Sequence, residues 1–149
     1  MANSDNPVYI IHRTHKMLRH CEDKIFAQHG LTTEQYELLT AIKHIKTPGR
    51  VTDVAMQVIR SVNIVSMIVD RMVKAGLLNR VRDDDDDRRT VHVSITDEAM
   101  TRLETATLAN QEFIQETLSK LSNDEIHFLV VMLGIIAEET KRERQTTTV

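Results

Sequence analysis

Asn63, Ser66 and Met67 are spaced three and four residues apart, which places an amide, a hydroxyl and a thioether on one face of any helix that contains them. None of these groups is a nucleophile or a general base at neutral pH. What they can do is bond to, or lie against, a surface laid along the helix. An α-helix fits the major groove of double-stranded DNA, where Asn can bond adenine, Ser either kind of base edge, and an apolar side chain can touch the thymine methyl. Asp70 and Lys74 continue this side and Arg71 stands next to it, whereas Val65, Ile68, Val69, Met72 and Val73 form the opposite, core-facing stripe. Thr52, Ser61 and Val62, at the starts of neighbouring helices, complete the candidate contact set from this region.

The elements that must hold this face are legible around it. Val51 to about Ile59 predicts a short helix with Val51, Val54, Ala55, Val58 and Ile59 on one stripe and Thr52 as its cap. Ser61 breaks and re-caps the chain, and Val62 to Lys74 predicts the second helix. Gly76 suits the left-handed position that closes a helix, and Leu77–Arg82 and Thr90–Thr96 alternate as two strands of a hairpin. Asp83 to Asp87 followed by Arg88 and Arg89 lie between those strands. Upstream, Pro7 to about His29 is a long helix with the stripe Val8, Ile11, His15, Leu18, Cys21 and Ile25, ended by Gly30. Thr32 with Gln35 is a capping box for a helix running to about Lys46, and Pro48-Gly49 is a turn. Downstream, Thr96-Asp97-Glu98 starts a helix carrying Ala99, Leu103, Ala106, Phe113, Ile114 and Leu118 to about Leu121. Ser122 with Glu125 caps a last helix, Asn123 to about Arg144.

That last helix is apolar on too many sides for a monomer surface, with Ile126, Leu129, Val130, Leu133, Ile136 and Ala137 flanked by Phe128, Val131, Met132 and Ile135. A chain of 149 residues has no interior large enough to cover it. The expected cover is the same helix and the first helix of a second copy around a two-fold axis.

The runs Val69-Asp70-Arg71-Met72-Val73-Lys74-Ala75-Gly76-Leu77-Leu78-Asn79-Arg80, Asp87-Arg88-Arg89 and Val93-Ser94-Ile95-Thr96, with Leu31 to Leu39 upstream, resemble MarR-type winged helix-turn-helix transcriptional regulators. The order of elements agrees over nearly the whole chain. The fold class expected is mainly α with a small β-hairpin wing (α+β), the winged helix-turn-helix being flanked by N- and C-terminal dimerisation helices. Residues 1–30 would be the first dimerisation helix, 31–96 the DNA-binding module and 97–149 the remaining dimerisation helices, in one intertwined domain. The reading expected is a homodimeric sequence-specific regulator, a repressor that occludes a promoter, on a palindromic operator whose half-sites lie roughly 34 to 36 Å apart. The resemblance assigns Asp87 to orienting Arg89 into the minor groove, with Arg82 and Arg88 offsetting Asp83 to Asp86. It also implies a small, often aromatic effector, for which His15, Arg19, Tyr36 and Met100 are the candidate pocket. A basic residue that family members often carry near Met67 is missing.

Composition limits the alternatives. The net charge of -3 is uneven: residues 48–96 carry eight Lys/Arg against seven Asp/Glu, and residues 97–149 carry five against ten. One cysteine excludes an intrachain disulfide and points to a reducing compartment. The first ten residues have no secretory pattern, and the apolar run 128–137 is half of the roughly 20 residues a membrane helix needs, so a cytoplasmic protein with no membrane contact is expected. His12 and His15 are three apart, yet no His/Cys/Glu set has structural-zinc spacing, and an EF-hand begun at Asp83 fails at Arg88 and Ser94, so no metal is expected. Gly30, Gly49, Gly76 and Gly134 form no phosphate loop, and no cofactor or enzyme activity is expected. Two other readings stay open: a winged-helix dimer used for protein contact, and a thiol-based redox sensor through Cys21.

Overall fold

The computed structural model describes residues 6–45, 48–81 and 92–146. Among the described residues, six helices and three short strands follow in the order α1 (Pro7–Gln28), α2 (Thr33–His44), β1 (Gly49–Arg50), α3 (Val51–Gln57), α4 (Val62–Lys74), β2 (Leu78–Val81), β3 (His92–Ile95), α5 (Asp97–Leu118) and α6 (Asn123–Thr146). The chain divides into two compact units, Met1–Asn110 and Gln111–Val149, so the division falls inside α5.

In the first unit the helix ends are set by local chemistry. The Asn6 side chain accepts from the Val8 and Tyr9 backbone N–H groups, and Pro7 occupies the first helical position, where its missing N–H costs nothing. Gly30 closes α1 with φ 70°, and Leu31 N–H reaches back to the Phe26 carbonyl at 3.0 Å. The Gly30 carbonyl also accepts from Arg102 of α5 at 3.1 Å, and an added Cβ would meet that guanidinium at 3.0 Å. The capping box at α2 is formed from both sides: Thr32 Oγ1 accepts from Gln35 N–H and Gln35 Oε1 accepts from Thr32 N–H. α2 stops at His44, two residues before the expected end, and Lys46 and Thr47 lie outside the described residues.

The sheet is antiparallel with order β1-β3-β2. Leu78 faces Ile95 and Val81 faces His92, as in a hairpin, and Gly49 and Arg50 pair with Val93 and His92 on the other edge. Of the expected strands Leu77–Arg82 and Thr90–Thr96, Leu77 and Thr96 fall just outside β2 and β3, and Arg82, Thr90 and Val91 lie outside the described residues. Gly49, read from the sequence only as part of a turn, is thus the start of a third strand. Two residues carry no alternation, so periodicity has nothing to register there. Thr96 joins the pieces: its hydroxyl donates to the Gly76 carbonyl at 2.9 Å and accepts from Ala99 N–H at the start of α5.

The core of this unit is aliphatic. Leu38, Leu39 and Ile42 of α2 meet Val54 and Ala55 of α3, Val65, Val69 and Met72 of α4, Leu78 and Val93 of the sheet, and Leu103 and Ala106 of α5. α1 contributes one fully buried side chain, Phe26, whose ring stacks on Tyr36 with centroids 3.9 Å apart. Of the expected α1 stripe, Ile11, Leu18, Cys21 and Ile25 are half-buried within the single chain, and Val8 and His15 are exposed there.

In the second unit Ser122 and Glu125 cap α6 reciprocally, with Ser122 N–H donating to Glu125 Oε2 at 2.8 Å and Glu125 N–H donating to Ser122 Oγ at 3.3 Å. The Ser122 backbone N–H holds the Glu125 carboxyl below its ordinary pKa. From Asn123 to Glu143, Ile126 is half-buried and every other residue is exposed, including Phe128, Val130, Leu133 and Ile136. No single helix among the described residues is long and apolar enough to cross a membrane.

Candidate nucleic-acid interface

α3 and α4 meet at 112° across the four residues Val58 to Ser61, inside the roughly 90 to 120° range of a helix-turn-helix. Such turns often use glycine. Here Ile59 takes the left-handed conformation with φ 56°, and its side chain is exposed. This corrects the expected stripe of α3, on which Val51, Val54 and Ala55 are buried and Val58 is half-buried but Ile59 points away from the core. A β-branched residue in this region costs on the order of 1 to 2 kcal/mol. Ile59→Gly should therefore raise stability by about 1 kcal/mol, read as a higher urea midpoint at unchanged slope; a lowered midpoint would show that the turn carries no such cost.

Ser61 caps α4, its hydroxyl accepting from Ile64 N–H at 3.4 Å. The opposite assignment at α3 is corrected: Arg50 is the cap residue, it makes no side-chain cap bond, and Thr52 is an exposed residue of the first turn. α4 buries Val65, Ile68, Val69 and Met72, half-buries Val73, and leaves Asn63, Met67, Asp70, Arg71 and Lys74 exposed, with Ser66 half-buried. Val62 is also exposed. The structure thus brings Ser61, Val62, Asn63, Ser66, Met67, Arg71 and Lys74 together on one helix and its cap. Arg82, Asp87, Arg88 and Arg89 lie outside the described residues.

The charges on α4 are partly spoken for. Asp70 accepts from Arg80 of β2, an exposed pair across the Gly76 turn, so the one carboxylate on the outer face is neutralised by the strand that follows. Sequence reading missed this partner, although the ten-residue separation across a predicted helix-to-strand turn is the distance at which one could be sought. Arg71 and Lys74 sit in the last turn, where cations suit the helix dipole and can meet phosphates.

A second feature adjoins the turn. A cavity of about 690 Å³ opens between α1, α2 and the α3–α4 turn, and its lining includes His15, Arg19, Tyr36, Glu37, His44 and Arg60. Three of the four candidate pocket residues line it. Met100, the fourth, does not: it is half-buried against the core. Sequence reading missed Glu37 and Arg60, which are the most informative members. Glu37 pairs with Arg19 of α1 and lies 3.9 Å from Arg60, while Arg60 donates to Glu34 at 2.6 Å. The bond to Glu37 holds the Arg19 pKa above its ordinary value, against a lesser opposing effect of burial. This chain of charges ties α1 and α2 to the residue that precedes the cap of α4. Cys21 is a half-buried thiol, and no group of three His, Cys, Asp or Glu among the described residues could hold a metal ion.

The helix pair, the three-stranded sheet and the flanking helices make a winged helix, and comparison with known proteins agrees. The family model described as transcriptional regulator SarA/Rot matches residues 21–106. The chain belongs to the SarA/Rot family. Among curated proteins, this SarA/Rot chain is 29% identical over 124 residues to the HTH-type transcriptional regulator PapX of Escherichia coli, covering 80% of this chain and 73% of PapX. Its fold is similar to that of MepR of S. aureus, solved as a DNA complex, with a TM-score of 0.81 at 20% identity over 93% of this chain and 99% of MepR. It is also similar to PcaV of Streptomyces coelicolor, solved with its natural ligand, with a TM-score of 0.75 at 20% identity over 93% and 96% of the two chains. The SarA/Rot chain is therefore a DNA-binding transcriptional regulator of winged-helix type and not an enzyme. The MarR-type resemblance drawn from its sequence holds.

Proposed function

We propose that the chain works in the cytoplasm as a homodimer that sets two α4 helices into successive major grooves of a palindromic operator and represses by occluding a promoter. The observation that carries the reading is the pairing of an exposed, capped α4 with an α6 whose large apolar side chains stay exposed among the described residues of their own chain. Residues 1–30 and 97–149 would build the dimer and residues 31–96 would read DNA. A second copy hides what one chain leaves in water, and it fixes the separation of two reading helices that each hold too few contacts for useful affinity.

A small aromatic effector fits the cavity at α1, α2 and the turn. Its volume lies within the usual range for ligand sites, and Tyr36, Val58 and Ile59 supply apolar surface beside the two arginines. Because Ile59 and Arg60 belong both to the cavity and to the turn that delivers Ser61 to α4, a ligand there has a direct way to prefer one spacing of the reading helices. It would release DNA only to the extent that it binds the mismatched spacing more tightly.

The test is a mobility shift with DNA from the promoter region of the chain's own gene. Asn63→Ala should relax preference at one base position per half-site by about 1 to 3 kcal/mol, whereas Arg89→Ala should weaken binding across all sequences. A shift indifferent to both substitutions would move the assignment to a winged-helix dimer for protein contact.

A further inference from the structure

The base-reading end of α4 is more apolar than a DNA surface needs to be. Base contacts of a helix-turn-helix come from the N-terminal part of its second helix. In this chain that part, Val62 to Met67, contains no charged side chain. Val62, Ile64 and Met67 are 43%, 49% and 58% exposed, while the core is served by Val65 and by Ile68, Val69 and Met72 beyond it. Ile64 and Met67 are neighbours three apart and Asn63 and Met67 neighbours four apart, so these side chains form one strip, and Val62 flanks Ser66 on its other edge.

The chemistry of the bases narrows what such a strip can recognise. Guanine is read chiefly by Arg or Lys on O6 and N7, and the first cations of α4 are Arg71 and Lys74, in its last turn. Cytosine is read by a carboxylate on N4, and the first carboxylate, Asp70, is engaged by Arg80. Beside the half-buried Ser66 hydroxyl, which bonds either kind of edge and so selects little, what remains is the Asn63 amide, which suits adenine N6 and N7, and apolar surface, which suits the one apolar group in the major groove, the thymine methyl. We propose that Ile64 and Met67 read thymine methyl groups beside an adenine held by Asn63, so that the centre of each half-site is specified by A·T pairs through methyl burial. Val62 covers the edge of the same strip. This rests on the reading of α4 as the groove helix proposed above, and goes beyond it by naming what the helix selects.

The experiment uses the full chain and a duplex enriched by it from a random pool. Each thymine is replaced in turn by deoxyuridine, which removes the methyl and nothing else. At one or two positions in each half-site, placed symmetrically, the affinity should fall by about fourfold, the value of about 0.8 kcal/mol for one buried methylene-sized group. The same replacements should have no effect on the Ile64→Ser, Met67→Ser variant, whose altered side chains are exposed and leave the core intact. A tightly and specifically bound duplex indifferent to every deoxyuridine would overturn the methyl reading and leave the DNA assignment standing. Methyl effects that persist in the double variant would assign them to other residues and also overturn it. Failure to enrich any duplex would overturn both, and the apolar strip would then be a protein-binding surface.

Discussion

A chain carrying Leu129→Glu and Leu133→Glu together should sediment as a monomer at micromolar concentration and lose specific DNA binding. The two leucines stand four apart on α6, one turn above the other, and both are exposed in the single chain. Burying a leucine gains about 1.5 to 3 kcal/mol, and a two-fold interface uses each substituted position twice. With 39% and 44% of their surface still to be covered, four such side chains account for about 2 to 5 kcal/mol of the roughly 8 kcal/mol that a micromolar dimer represents. The glutamates add unpaired charge at a surface that excludes water, a larger cost again. DNA binding falls with the dimer because one reading helix makes only half of the contacts. Sedimentation velocity decides the matter. An unchanged dimer would place the interface away from α6.

Phe26→Ala should cost about 3 to 5 kcal/mol of folding stability, the usual effect of truncating a core aromatic. Phe26 is 1% exposed and is the one residue of α1 that is fully buried, so it is the main apolar anchor of that helix on α2. Its stacking on Tyr36 adds a further contribution of about 0.5 to 1.5 kcal/mol. Against a total of about 5 to 15 kcal/mol, the variant should unfold at a much lower urea concentration. Because Tyr36 also lines the cavity, the change should loosen binding of the proposed effector along with the fold. A loss below about 1 kcal/mol would show that α1 is held by something other than this ring.

How far the sequence reached can be judged from particular residues. Local signals carried through wherever one residue's chemistry settled the backbone: the Thr32 and Gln35 capping box, Ser61 before α4, and Gly30 and Gly76 at left-handed positions all lie where expected. The limits Val62 and Lys74 of α4 were legible because a strong apolar period runs between a cap and a glycine. What was illegible depended on tertiary contact. β1 exists because Gly49 and Arg50 find Val93 and His92, more than 40 residues away. Ile59 fits an apolar stripe by spacing, and only the 112° bend between α3 and α4 turns it outward. Phe26 lies next to Ile25 on the expected α1 stripe, and a small rotation of the helix exchanges which of the two is buried. Arg60 and Glu37 gave no signal in the sequence because a pair of surface-type charges 23 positions apart has no local pattern.

In the proposed dimer two copies of α4, held one groove-turn apart by the flanking helices, read a symmetric DNA site. Selection of bound duplexes from a random pool measures this directly. The predicted outcome is an inverted repeat whose half-sites are centred about 10 to 10.5 base pairs apart, or a multiple of that, with the complex containing two protomers per duplex. Enrichment of a lone asymmetric element bound by one protomer, or no enrichment at all, would contradict it.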